Sequence, residues 1–205
     1  MNTLYRYNKL NEYYKEKFGE RVLKICINGH FTCPNRDGSL SSTGCIFCSE
    51  YGSGEHLDSY HNISTQVRNF FNSPRANRAN KFIAYFQNFS NTYDSIENLK
   101  QNYDSALIDS RIIGLSIATR PDCINENIVQ LLHSYTKKYY VTVELGLQTA
   151  NENIGQIINR CYTNNQFTQA VSLLNKYHID VIPHIMVGLP TEKFSDVKDT
   201  IKFIN

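Results

Sequence analysis

Apolar and polar positions follow two rhythms along the chain. At 5, 7, 10, 13, 14 and 18 apolar and aromatic residues fall at roughly helical spacing, and Gly19 supplies a stop. Val22-Leu23-Lys24-Ile25-Cys26-Ile27 then reads as a short β-branched strand. The stretch 29–54 has neither rhythm and is rich in Gly, Ser, Thr and Cys; loops of that length are uncommon and usually functional. Beyond it the rhythms alternate. Strands are predicted over 81–87, 111–118, 140–147 and 179–187. Helices are predicted over 63–71 with Ser64 as cap, 95–107 with a break near the middle, 125–138, 151–158, 166–177 and 195–204.

Five strands, each followed by helix, imply βαβ units and a parallel sheet, open or curled into a barrel. In such folds the loops after the strand carboxyl ends carry the chemistry. The unusual polar segments obey that rule: the Cys-rich loop after the first strand, 87–93 after the second, Thr119-Arg120-Pro121-Asp122 after the third, Gln148-Thr149 after the fourth, and Gly188-Leu189-Pro190-Thr191-Glu192 after the fifth. No internal repeat, low-complexity tract or linker interrupts the pattern.

Composition narrows the classes. The 205 residues suit about one domain, and 21 Lys+Arg against 19 Asp+Glu neither demand nor exclude an anionic partner. Arg68, Arg75, Arg78 and Lys81 form a modest basic stretch that reads as a solvated face. No apolar run approaches the ~18 residues a membrane span needs. The amino terminus lacks the apolar core of a secretory leader, so a cytoplasmic protein is expected.

Candidate chemistry centres on Cys33-x11-Cys45-x2-Cys48, with Gly38 and Gly44 to let the backbone wrap a site. Thiolates at this spacing select zinc or an iron–sulfur cluster. His30, three residues before Cys33, would complete a Cys3His structural zinc site. The iron–sulfur alternative uses three cysteines and leaves one iron open for an outside ligand. Spacing alone leaves both readings standing. Cys26 is expected in the core, with Cys123 and Cys161 as bystanders.

Phe31-Thr32-Cys33-Pro34-Asn35-Arg36-Asp37-Gly38 followed by Gly44-Cys45-Ile46-Phe47-Cys48 resembles the cluster loop of the YtqA/YhcC family of radical SAM proteins, relatives of the Elongator catalytic subunit. The resemblance continues in order through Ala84-Tyr85-Phe86-Gln87, Asn91-Thr92-Tyr93, Ser116-Ile117-Ala118-Thr119-Arg120-Pro121-Asp122, Val143-Glu144-Leu145-Gly146-Leu147-Gln148-Thr149-Ala150, Ile158-Asn159-Arg160 and His184-Ile185-Met186-Val187-Gly188-Leu189-Pro190. It implies an α/β fold, a partial parallel (βα) barrel with about five of six βα units present, as one core domain over 1–205.

The resemblance also implies a [4Fe–4S] cluster on Cys33, Cys45 and Cys48 that reductively cleaves S-adenosylmethionine to a 5′-deoxyadenosyl radical. Cofactor contacts would then fall to Gln87, Asn91 and Thr92 near the methionine end, Gln148 on the ribose hydroxyls, Arg160 on the methionine carboxylate and Gly188 against the adenine. Glu144 suits a barrel-interior role as well as a ligand role. Asp37 suits a turn, Arg120 and Asp122 face the substrate side, and Tyr85, Phe86 and Tyr93 read as packing. The implied partners are a one-electron reductant of flavodoxin or ferredoxin type and tRNA, whose wobble uridine would be converted from carboxymethylaminomethyl to aminomethyl.

The sequence departs from the family in two places. Cys161-Tyr162 stands where the family runs Gly-His after Asn159-Arg160, and a core without the sixth βα unit and carboxyl-terminal extension is expected. A sheet lacking its sixth strand would expose an edge that an oligomer could cover. A zinc-stabilised RNA-binding module and a non-catalytic SAM- or cluster-binding remnant are the alternative functions.

Overall fold

The computed structural model describes residues 7–205, so position 5 of the amino-terminal helical pattern lies outside the described residues. The helix itself, α1, occupies Leu10–Phe18 and ends at Gly19. The elements that follow are β1 Val22–Ile27, α2 Ile63–Phe71, β2 Lys81–Phe86, α3 Ile96–Ala106, β3 Ile112–Thr119, α4 Glu126–Thr136, β4 Tyr140–Gln148, α5 Glu152–Ile157, α6 Asn164–Lys176, β5 Asp180–Ile185 and α7 Phe194–Ile204. Helix α2 is capped by Asn62, whose side chain accepts from Thr65 N, while the predicted cap Ser64 donates to Ser105 O. Helix α3 runs unbroken from its cap Ser95. Two short 3-10 turns, Pro74–Arg78 and Pro121–Cys123, are too brief to leave a periodic signal.

All five strands are parallel, in the order β1-β2-β3-β4-β5, so each βα unit advances one place along the sheet. Right-handed crossovers of that kind put the helices on one face. That face holds the main core, in which Ile25, Ile27, Phe82, Phe86, Leu115, Ile117, Val143 and Leu145 of the strands meet Val67, Leu99, Tyr103, Leu132 and Leu174 of the helices. Strands buried on both faces read as near-continuous apolar runs, which accounts for Lys81-Phe82-Ile83-Ala84-Tyr85-Phe86.

The opposite face is the concave one. Its amino-terminal end is closed by α1, where Tyr14 packs against Val22 and Ile83 with Phe18, Ile113 and Tyr140 around them. Above this plug the concave face turns polar. The expected partial barrel is therefore present, with β1 and β5 as the sheet's edges. No helix among the described residues is long and apolar enough to cross a membrane.

Candidate active site

The loop between β1 and α2 is fixed at both ends. Gln66 clamps Asn28 by accepting from its N at 2.9 Å and donating to its O at 3.0 Å, and Phe31 packs on Phe86. Cys33 opens a tight turn in which Arg36 N and Asp37 N donate to Cys33 O, and Cys48 N closes a second by donating to Cys45 O at 3.0 Å. Gly44 is required between them. Its φ is +75°, and a Cβ there would stand 2.9 Å from Arg36 Nε. Arg36 ties the far end by donating to Cys48 O and Ser49 O. Asp37 takes its turn role, accepting from Ser39 N.

Cys33, Cys45 and Cys48 line one cavity of about 430 Å³ at the carboxyl ends of the strands. The same cavity is lined by Gln87 and Ser90 after β2, Arg120 after β3, Gln148 and Glu144 of β4, and His184 of β5. Burial pushes the Cys45 thiol up to about 11, against the hydrogen bond from Asn35 and the charge of Arg120; the neighbouring Cys48 and Cys33 push it further up. Burial likewise raises Cys48, opposed by the Arg36 guanidinium. One guanidinium thus acts on each of these two thiols, Arg120 on Cys45 and Arg36 on Cys48.

Beneath them lies a buried ionic network. Glu144, 4% exposed, accepts from Lys24 Nζ, from Ser116 Oγ at 2.6 Å and from His184 Nε2 at 2.8 Å. Burial alone would raise its carboxyl. The His184 hydrogen bond, the Lys24 charge and hydrogen bond, and Ser116 outweigh burial and bring it down to about 2. Thr142 Oγ1 extends the network to Ser116, and Lys24 Nζ lies 4.3 Å from the Tyr85 ring centre. Glu144 is therefore a structural hub of the barrel interior that also faces the cavity.

The sequence-predicted contacts divide. Gln87 and Gln148 line the cavity with the three cysteines; Gln148 does so at φ +67°, where β4 slips register against β5. Such a left-handed non-glycine residue marks a constrained position. Arg160 does not reach the cavity. It is 1% exposed, and its five N–H groups are consumed by Tyr162 O, Leu147 O, Thr149 O, Glu152 Oε2 and Asn164 Oδ1, leaving no donor for a ligand carboxylate. Neither Asn91 nor Thr92 lines the cavity: Asn91 Nδ2 donates to Phe86 O, Asn88 O and Ala118 O while its buried Oδ1 has no partner among the described residues, and Thr92 Oγ1 bonds to Thr119 Oγ1 and Cys123 O. Both hold the β2 and β3 loops together.

Gly188 lies outside the cavity lining. Its φ of +88°, with open space where a Cβ would stand, makes it a turn residue, and Glu192 accepts from its N. His30 does not join the cysteines either. Its Nε2 lies 3.1 Å from His61 O, and among the described residues no group of three or more His, Cys, Asp or Glu is spaced to close on a single ion. The fourth ligand of the Cys3His reading is thus directed away from the cavity that the three cysteines line. Cys26, expected in the core, is exposed on the side of β1 that carries Lys24, whereas Cys123 is buried and Cys161 exposed.

Sequence reasoning passed over His184, Tyr162 and the cavity role of Tyr85. The available signal was three titratable residues, Lys24, Glu144 and His184, inside otherwise apolar strands. Tyr162 lines the cavity with the Arg120 and Arg160 guanidinium carbons 4.9 and 5.1 Å from its ring centre. Arg120 is held by a bidentate pair with Asp122 at 3.0 and 2.8 Å. Beside Tyr162, Cys161 occupies φ +57°, the conformation a glycine adopts freely. Cys161→Gly is expected to raise stability by about 1 kcal/mol in urea denaturation; an unchanged or lower value would show that the cysteine carries no backbone strain.

A curled five-stranded parallel sheet, with a three-thiol loop folded over a polar cavity at the strand carboxyl ends, defines an α/β half-barrel enzyme core. The chain belongs to the Radical SAM superfamily, whose family profile matches residues 32–204. It is 39% identical over 211 residues to YtqA of Bacillus subtilis, covering 99% of this chain and 64% of that protein. It is 33% identical over 187 residues to YhcC of Escherichia coli K12, covering 91% and 60%. The chain thus spans somewhat under two thirds of these relatives. A shorter likeness, 33% over 97 residues, covers 47% of this chain and 20% of the tRNA uridine(34) acetyltransferase of Dehalococcoides mccartyi. Among solved structures, the archaeal Elp3 of Methanocaldococcus infernus matches 88% of this chain and 41% of its own with TM-score 0.64 at 17% identity, a likeness of fold.

Proposed function

We propose that this chain is the core of a radical SAM enzyme in which Cys33, Cys45 and Cys48 hold a [4Fe–4S] cluster and the rest of their cavity receives S-adenosylmethionine. The observation that carries the reading is the convergence of three free thiols on one cavity with Gln87, Gln148 and Arg120. The donor set fits such a group. It is all sulfur, three free thiols on one cavity, and a polynuclear cluster takes each thiolate on a different metal. When bound, the cluster would supply the electron that cleaves S-adenosylmethionine and opens radical chemistry.

The chain's own residues then have separate tasks. Gln87 and Gln148 offer amides to the cofactor's polar groups, Gln87 being held by its donation to Ser53 O at 2.8 Å. Arg36 and Arg120 stabilise negative charge on the thiolates, and the Glu144 network fixes the cavity floor. With no free donor, Arg160 instead braces the β4 end against α5 and α6.

The wider activity belongs to the same proposal: a single core over 1–205, a cytoplasmic flavodoxin- or ferredoxin-type reductant, and a tRNA substrate whose wobble uridine is modified from carboxymethylaminomethyl to aminomethyl. The tRNA part is supported by the name of the D. mccartyi relative, which acts on tRNA uridine(34). Anaerobic reconstitution tests the core reading. About four irons per chain, and formation of 5′-deoxyadenosine on reduction with S-adenosylmethionine present, are expected. A protein that binds stoichiometric zinc and no sulfide would end it.

A further inference from the structure

Asn35 is fully buried in the cysteine loop, and its Nδ2 lies 2.6 Å from Asn159 O and 3.4 Å from Cys45 Sγ. The carbonyl at Asn159 decides which way the amide points, since an oxygen there would face another oxygen at contact distance. The group directed at the Cys45 sulfur is therefore an N–H donor. The clasp is reciprocal. Asn159, at φ +53°, returns its own Nδ2 to Gly44 O at 2.7 Å, and Ile46 N donates to Ile158 O at 3.1 Å. Gly44 N in turn donates to Asn35 O at 2.8 Å, so Cys45 is flanked on both sides by backbone fixed to the turn after α5.

A neutral donor locked onto one thiolate from a fully buried side chain does more than hold a loop. Hydrogen bonds to a cluster's sulfurs stabilise the reduced, more negative state and raise its potential, and low local dielectric strengthens them. Arg120 acts on Cys45 and Arg36 on Cys48 through full charges; Asn35 acts through a directed bond on the Cys45 sulfur.

We propose that Asn35, by donating Nδ2–H to Cys45 Sγ, sets the reduction potential of the iron–sulfur centre, an inference that rests on the cluster reading above. Asn35 is a positioning residue acting through Cys45, so its signature is electrochemical. The test is a redox titration followed by electron paramagnetic resonance on the anaerobically reconstituted full chain, comparing wild type, Asn35→Ala, Asn35→Asp and Asn159→Gly. Removing the donor is expected to shift the midpoint to more negative potential in Asn35→Ala, and further in Asn35→Asp, where a carboxylate faces the sulfur.

Asn159→Gly keeps the left-handed backbone and the Asn159 carbonyl but deletes the clasp on Gly44. It is expected to lower iron loading while leaving the midpoint at the wild-type value. Unchanged midpoints in both Asn35 variants would overturn the inference, as would an equal shift in Asn159→Gly, because loop position would then account for the effect. Failure of both Asn35 variants to hold iron would also overturn it, since the residue would then be a strut. A wild-type protein without a cluster would overturn the cluster reading itself, an outcome told apart by appearing before any substitution is made.

Discussion

Serine at position 45 is expected to strip the protein of its iron: after anaerobic reconstitution, Cys45→Ser should fall from about four irons per chain to near zero, with S-adenosylmethionine cleavage at background. The same is expected of Cys33→Ser and Cys48→Ser. A serine hydroxyl keeps the shape of the loop but not its chemistry, because iron–sulfur centres select soft, ionised thiolates. No spare ligand stands ready. Cys123 feels the charge of Cys33, but burial, with the Asp122 carboxylate next, pushes its thiol up to about 12, so it stays protonated at neutral pH. Cys26→Ser and Cys161→Ser, at exposed positions, should keep full iron. Iron and sulfide assays with a far-ultraviolet dichroism check would decide the matter; a folded Cys45→Ser protein with undiminished iron would remove Cys45 from the ligand set.

Glu144→Ala is expected to cost roughly 3 to 5 kcal/mol of unfolding free energy at pH 7, the range for breaking a buried ion pair from one side. The substitution would leave Lys24 and Ser116 facing a void in the barrel interior. Its pH dependence separates charge from packing. The folded-state Glu144 value is depressed from 4.5 to about 2, so the unfolded chain takes up the proton first as pH falls. Its contribution is therefore complete above about 4.5 and lost between there and about 2, a swing of about 3 kcal/mol at ~1.36 kcal/mol per unit. Measured by urea denaturation, the gap between wild type and the near-isosteric Glu144→Gln should be constant from pH 5 to 8 and close as pH approaches 2. A gap that persists at low pH would assign the stability to packing.

Those two sites differ in how far the sequence reveals them. The cysteine loop announces itself, because spacing and glycines are local properties of one segment. The Glu144 hub joins β1, β3, β4 and β5, and its partners lie 120, 28 and 40 positions away in sequence, a separation no periodicity reports. Arg160 shows the opposite failure. A guanidinium beside a candidate site suits a carboxylate ligand by residue type, but its fate depends on which carbonyls the turns at Leu147, Thr149 and Tyr162 direct toward it. Asn91 and Thr92 depart from expectation for the same reason. Polar residues in loops after strands serve either the ligand or the loop's own unpaired backbone groups, and type alone does not distinguish the two.

By itself the amino-acid sequence determined the alternation of strands and helices, the parallel sheet, and the set of cysteines that can act together, because each follows from local periodicity or spacing. Only the tertiary structure decided that His30 stands apart from those cysteines, that Arg160 is saturated and Gly188 a turn, and that Asn35 touches the Cys45 sulfur. Each of these is settled by where a side chain's hydrogen-bonding capacity is spent. That allocation is made between segments far apart in the chain, once the sheet has curled and its carboxyl ends have converged.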